Sequence, residues 1–288
     1  MNTRLYYRIW LLSLGCLATT YSVFAQVDVL WDKTIGGSSY DALGFVTSTS
    51  DGGYLLAGAS ESNISGDKSE DSRGSRDYWI VKLDANRQKQ WDKTFGGDQF
   101  EILQNAVATA DGGYLLVGWS QSGVSGDKSE ASRGGNDYWV VKIDADGNKV
   151  WDKTYGGSGT DQLNRVATTS DGGYLLGGFS SSNASGDKSE NSKGSNDWWI
   201  VKIDVNGNKV WDKTLGGSGN DDGFADILPT ADGGYLLSGD SQSDTSGDKS
   251  ENSRGDRDYW IVKIDANGNK VWDKTFGGTS REIGRAHV

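Results

Sequence analysis

The tetrapeptide Trp-Asp-Lys-Thr occurs five times, at Trp31, Trp91, Trp151, Trp211 and Trp272, with spacings of 60, 60, 60 and 61 residues. Two other strings keep step with it. DGGYLL begins at Asp51, Asp111, Asp171 and Asp232, and DYWIVK or a close variant begins at Asp77, Asp137, Asp197 and Asp258. A period of this length confines the chain to a repeat architecture, in which each unit hides its apolar faces against its neighbours. The extra residue of the last unit falls between Gly217 and Gly223, in a connection.

Each unit reads as four strands. In the third, Leu163 to Ser170 and Tyr174 to Ser180 flank Asp171-Gly172-Gly173, and an Asp-Gly pair between β-prone runs is a strong hairpin signal. A loop of about 16 residues follows, longer than most connections. DWWIVKID (Asp197 to Asp204), the turn Val205-Asn206-Gly207-Asn208 and KVWDKTLGG complete the unit. In DYWIVKLD, Trp79, Val81 and Leu83 alternate with Tyr78, Ile80 and Lys82, so both faces are largely apolar and the strand is covered on each side. KVWDKT mixes polar and apolar residues on both faces and reads as an edge strand. Gly58, Gly118, Gly178 and Gly239 sit in the YLL strand, where small residues permit close backbone approach.

A four-stranded meander, apolar on both faces and repeated about every 60 residues, is what a β-propeller blade requires. The expected fold is all-β: four complete antiparallel blades over residues 26–281, in units starting near 31, 91, 151 and 211, plus one extra strand at the first WDKT copy. A linear β-solenoid usually has a shorter repeat and no double hairpin. DGGYLL, DYWIVKIDANGN and WDKTFGG together resemble the propeller repeats of exported proteins from Bacteroidetes-type bacteria and are similar to the delta-sixty repeats of bacterial surface proteins. The likeness runs from Val27 to Gly278. It implies a secreted or surface-displayed propeller, commonly followed by a C-terminal sorting domain for type IX secretion, and it brings no settled ligand or catalytic set.

The fifth repeat starts at Trp272 and dissolves into EIGRAHV, Glu282 to Val288. Those seven residues match a sequencing adapter read in the frame GAG-ATC-GGA. The expectation is that 282–288 are not native and that the chain is a fragment. The lone first strand would then close a last blade whose other strands lie downstream, leaving this ring incomplete through truncation.

The N-terminus reads as a signal peptide over residues 1–25: Arg4 and Arg8 precede the apolar run Ile9 to Ala18, and Val23-Phe24-Ala25 suits cleavage. That run is too short to span a bilayer. Cys16 offers a lipoprotein signal as the alternative, although Leu14 stands where such signals usually carry a small residue. Localisation is therefore expected to be secreted or outer cell surface. The only cysteine, Cys16, leaves with the leader, and the only histidine, His287, lies in the odd tail. The body thus offers no Ser-His-Asp triad, Cys-His pair or histidine metal site. A formal charge of −11 repels nucleic acid and anionic lipid, which makes neither a partner.

The long loop carries SGDKSE in every unit. Calcium would find hard oxygen ligands at Asp67, Glu70 and Asp77, and at Asp127, Glu130 and Asp137. The same positions recur as Asp187, Glu190 and Asp197, and as Asp248, Glu251 and Asp258. The preferred reading is a solvated loop with no cofactor, because Lys68 sits among the acids and opposes a cation. Asp144-Ala-Asp-Gly-Asn resembles half a calcium loop, but its closing Glu would fall at Tyr155, so it reads as a turn. Asn63-Ile64-Ser65 and Asn183-Ala184-Ser185 are sequons that a bacterial chain would rarely use. Most tryptophans repeat at fixed positions and read as packing residues. Trp119 stands where the sister units have Ala59, Phe179 or Asp240, and is the one candidate ligand-binding residue. The function expected is a non-catalytic binding, adhesion or structural module with a protein or glycan partner. The alternative is a carbohydrate-active enzyme using paired carboxylates, drawn from the acids that vary between units: Asp98, Glu101, Asp221, Asp222 and Asp226.

Overall fold

A computed structural model describes residues 29–280. The leader with Cys16 and the tail with His287 lie outside the described residues. The chain divides into two compact units, Met1–Thr34 and Ile35–Val288. Of the first, residues 29–34 are described and carry no strand. The extra strand expected at Trp31 is therefore corrected. In the later copies WDKT pairs with the DYWIVK strand just before it, and among the described residues no such strand precedes Trp31.

The second unit is all-β. Its first sheet runs β1 (Asp41–Ser48), β2 (Tyr54–Ser60), β3 (Asp77–Leu83) and β4 (Lys89–Phe95). The second comprises β5 (Glu101–Ala108), β6 (Tyr114–Ser120), β7 (Asp137–Ile143) and β8 (Lys149–Tyr155). The third comprises β9 (Asp161–Thr168), β10 (Tyr174–Ser180), β11 (Asp197–Ile203) and β12 (Lys209–Leu215), and the fourth β13 (Gly223–Pro229), β14 (Tyr235–Ser241), β15 (Asp258–Ile264) and β16 (Lys270–Phe276). Each sheet is an antiparallel meander in sequence order.

The turns follow their residues. Gly172 has φ 84° and Gly207 φ 80°, the left-handed backbone that glycine adopts without strain. Among the described residues the one departure is Arg87, at φ 65°, where the sister units have Gly147, Gly207 and Gly268. Close approach explains the strand glycines: a Cβ on Gly118 would lie 1.9 Å from the Ile102 carbonyl oxygen.

Consecutive sheets pack face to face. Tyr78, Ile80 and Phe95 of the first sheet meet Leu103, Trp139 and Val141 of the second in one core. Tyr138, Val140 and Tyr155 meet Leu163, Trp199 and Val201 in the next, and Trp198, Ile200 and Leu215 meet Phe224, Trp260 and Val262 in the third. Trp139, Trp199 and Trp260 are wholly buried. Each of these indoles, like Trp79, donates to the Asp of the following WDKT, as in Trp139 Nε1 to Asp152 at 3.2 Å. WDKT thus forms an edge strand whose carboxylate satisfies the buried ring nitrogen that would otherwise cost free energy. At the hairpin end, Lys142 and its counterparts bond the Asp of DGG, at 2.9 Å for Asp111.

Candidate functional site

Every sheet places the same ends together. The starts of its first and third strands, the end of its second and fourth, the long loop and the link to the next sheet share one rim. The tight hairpins occupy the other. Internal comparison of the units sets these rims apart, because the hairpin rim repeats DGG and, in three units, the Gly at the second turn, whereas the loop rim holds most positions that differ.

The loop rim has a repeated frame. Asp127 accepts from Gly96 N at 3.2 Å and pairs with Arg73 across the sheet boundary at 2.5 Å; Arg133 with Asp187, and Lys193 with Asp248, repeat the contact. Asp67 likewise accepts from Gly36 N. Glu130 accepts from Thr154 N at 2.9 Å and from Lys153, and Glu70, Glu190 and Glu251 do the same in their units. Asp77, Asp137, Asp197 and Asp258 each accept a backbone N–H from the residue four earlier, as Arg133 N to Asp137 at 2.6 Å. The lysine of SGDKSE is not solvated: Lys128 is buried, donating to the Glu130 carbonyl at 2.7 Å and to Thr154 Oγ1 at 2.5 Å. Burial pushes its ammonium down to about 8, against the pull of Asp137 and Asp152.

The twelve acids considered as calcium ligands are therefore held by the chain's own donors around a lysine. Among the described residues no group of three or more His, Cys, Asp or Glu is placed to hold a metal. Asp144 accepts from Asp146 N and Asn148 N in a closed turn.

The acids considered for catalysis do not converge either. Glu101 and Asp221 are wholly buried, one at the start of the second sheet and one in the connection just before the fourth. Glu101 accepts from Gly97 N and from Ser120 and Ser122, and Asp221 from Gly217 N, Ser241 and Ser243. Asp41 and Asp161 make the same contacts, so this is one repeated structural position and not a variable acid. Asp98 is exposed and accepts from Ser125. Asp222, the inserted residue, pairs with Arg257 at 2.5 Å. Asp226 is exposed beside the bulge of β13.

The repeated acids create a buried feature that sequence reading missed. Asp137 and Asp161 lie on adjoining sheets, both wholly buried, and each has an oxygen, Oδ1, with no hydrogen-bond partner. Burial, with the neighbouring Asp161 adding to it, raises the Asp137 carboxyl to about 7; burial likewise raises Asp161. Asp77 beside Glu101 is raised to about 6, again by burial first, and Asp197 near Asp221 shifts the same way. Burial and a like-charged neighbour both disfavour ionisation of these carboxyls.

The variable layer sits on this frame and changes from sheet boundary to sheet boundary. At the first, the Arg76 guanidinium lies 4.4 Å from the Tyr40 ring centre and 4.6 Å from that of Phe100, paired with Glu61. At the second, Gln121 donates to Asn136 at 2.8 Å; at the third, Asn196 donates to Asn220 at 2.9 Å. In the fourth sheet Arg257 bridges Asp222 and Asp240. Trp119, opposite Ile102 and Tyr138, is half-buried, and its indole N–H is buried with no acceptor. The first strands of successive sheets lie side by side, and their bulges present Gln104-Asn105, Asn164-Arg165 and Ala225-Asp226 in equivalent places. Lining up the four units in register would have found this layer.

No protein-family model matches the chain, and no curated protein matches it in sequence. Among solved structures, Kuenenia stuttgartiensis hydrazine synthase matches at TM-score 0.38 and 14% identity, over 84% of this chain and 67% of that one. A mutant of Synechocystis apocarotenoid oxygenase matches at TM-score 0.41 and 11% identity, over 82% of this chain and 50% of that one. This chain spans half the length of the oxygenase. Neither likeness carries an argument about activity.

Proposed function

We propose that the chain is an exported bacterial surface repeat protein whose four sheets are blades of a β-propeller, and that it works as a non-catalytic binding module. Face-to-face packing of four meanders, with first strands adjacent, supports the propeller. The leader sequence supports export. The observation that carries the binding role is the loop rim, where a near-invariant frame supports a layer of unlike polar and aromatic groups. Recognition needs such a break in repeat symmetry, and a rigid frame keeps its conformational cost low. Trp119 and the Arg76–Tyr40–Phe100 stack are the aromatic anchors for a glycan or a protein loop. Glu101 and Asp221 each neighbour a second acid, Asp77 and Asp197, but all four are buried and held by the chain's own donors, away from any sugar, which argues against glycoside hydrolysis.

The test is retention of the full chain on a polysaccharide and glycoprotein panel, with Trp119→Ala and Arg76→Ala alongside. Binding without product release, weakened at least about tenfold by either substitution, supports the reading. Release of reducing sugar would establish the enzyme instead, and retention unchanged in both variants would remove the rim from the account.

A further inference from the structure

The side chains that cap the sheet boundaries at the loop rim differ in charge. Arg76 pairs with Glu61 at the first boundary, and Asn220 donates to Asp222 at the third. At the second the caps are an indole and two amides. We propose that the rim between the second and third sheets binds a neutral sugar, with Trp119 as the stacking platform and the Gln121–Asn136 pair reading the hydroxyls. This rests on the binding-module reading and names its ligand class and its place.

Strand register brings the groups together. Leu115 and Val117 of β6 pack in the core shared with the third sheet. Trp119 is next in the same alternation and lies on the same face. It stands opposite Ile102 on one side and Tyr138 on the other. Two residues on, Gln121 donates to Asn136 at 2.8 Å. The third sheet reaches the same place: Asp161 N donates to the Asn136 carbonyl at 2.6 Å. Thr160 comes so close to Gly135 that a Cβ there would lie 2.8 Å from its Oγ1. Ser75, Ser195 and Asp256 hold the position of Gly135 in the other units, so a missing side chain makes room for a hydroxyl at this boundary.

Each group suits an uncharged pyranose. The indole nitrogen of Trp119 is buried without an acceptor, so the part of this half-buried side chain that solvent reaches is carbon. That is a flat apolar surface for the C–H face of a sugar ring. With one Gln121 donor bonded to the Asn136 oxygen, the amide pair keeps the Gln121 oxygen as acceptor and the Asn136 nitrogen as donor. Neighbouring sugar hydroxyls both donate and accept, and match such a pair. None of these groups is charged, and a formal charge of −11 turns away a uronate or sulfated polymer. Packing does not call for an indole, since Phe179 fills the equivalent place in the third sheet with no nitrogen to satisfy, and an unmade buried hydrogen bond costs stability.

Affinity electrophoresis of the full chain tests this, with laminarin and mannan as neutral polymers, alginate as the anionic one and a glycoprotein alongside. A neutral polymer should retard the chain equally between about 0.05 and 0.5 M salt, because no ion pair is involved. Trp119→Ala should weaken retention at least about tenfold, and Gln121→Ala by about two- to tenfold, the worth of a neutral hydrogen bond. Trp119→Phe should weaken it too, with a Tm no lower than that of the unaltered chain, which separates lost stacking from lost folding. Retention by alginate alone, retention that falls as salt rises, or binding to the polypeptide of a deglycosylated glycoprotein alone overturns the neutral-sugar class and leaves the binding-module reading in place. Equal retention of Trp119→Ala and the unaltered chain overturns the siting in the same way. A chain that nothing on the panel retards overturns both.

Discussion

Asp137→Asn should stabilise this protein at pH 8 and do almost nothing at pH 3.5. Asp137 is wholly buried and faces Asp161 from the adjoining sheet, with the Lys128 ammonium, the Arg133 guanidinium and the Arg133 amide as the favourable groups around it. Its carboxyl rises from 3.8 to about 7 in the fold. A raised native value means that the folded state holds the proton more tightly than the unfolded chain. The stabilisation is complete below the unfolded value and is lost as pH climbs through about 7. At about 1.4 kcal/mol per tenfold change in proton affinity, the penalty at pH 8 is at most about 4 kcal/mol. Asparagine imitates the protonated acid: it still accepts the Arg133 N–H and can donate toward Asp161. For a chain of this size, about 2–4 °C per kcal/mol converts that to a Tm gain of roughly 5–15 °C at pH 8. Thermal melts of both proteins between pH 3.5 and 8 give the curve, and the difference between them should widen from about pH 4 and level off above about 7. A gap that stays flat across this range, or a parent more stable than the variant at pH 8, refutes the account of a raised Asp137 carboxyl.

Three further outcomes follow from single positions. Arg87→Gly relieves a left-handed backbone worth about 1–2 kcal/mol, less the added freedom of unfolded glycine, and should gain about 0.5–1 kcal/mol in urea denaturation. Gly118→Ala drives a methyl to 1.9 Å from a backbone oxygen and should cost about 2 kcal/mol or more by the same measurement, whereas Gly112→Ala, with open space but φ 84°, should cost about 1. Lys128→Met removes the ammonium from the Glu130 carbonyl and Thr154 and strips Asp137 and Asp152 of a nearby cation; a loss of about 2–4 kcal/mol in the same titration is expected, and an unchanged midpoint would show that the lysine is dispensable.

The sheets were legible because their causes are local: the alternation of Trp79, Val81 and Leu83 with Tyr78 and Ile80 and the glycine turns act within a few residues, and all were borne out. Two things escaped. Lys128 reads as a solvated charge in SGDKSE, and only the fold shows it capped by a carbonyl and a threonine from a strand 26 residues away. Glu101 and Asp221 read as variable because one is Glu and the other adjoins the inserted Asp222. Their sameness lies in three dimensions, where each takes the amide of the second glycine of WDKTxGG, the serine that ends the second strand and the loop serine two residues on. That shared role also separates frame from function. An acid whose partners recur at every boundary is explained by the stack, while Arg76, Trp119 and Arg257 make contacts found at one boundary each. A repeat protein needs its frame at every boundary, so it is in these single-boundary contacts that a partner has something to read.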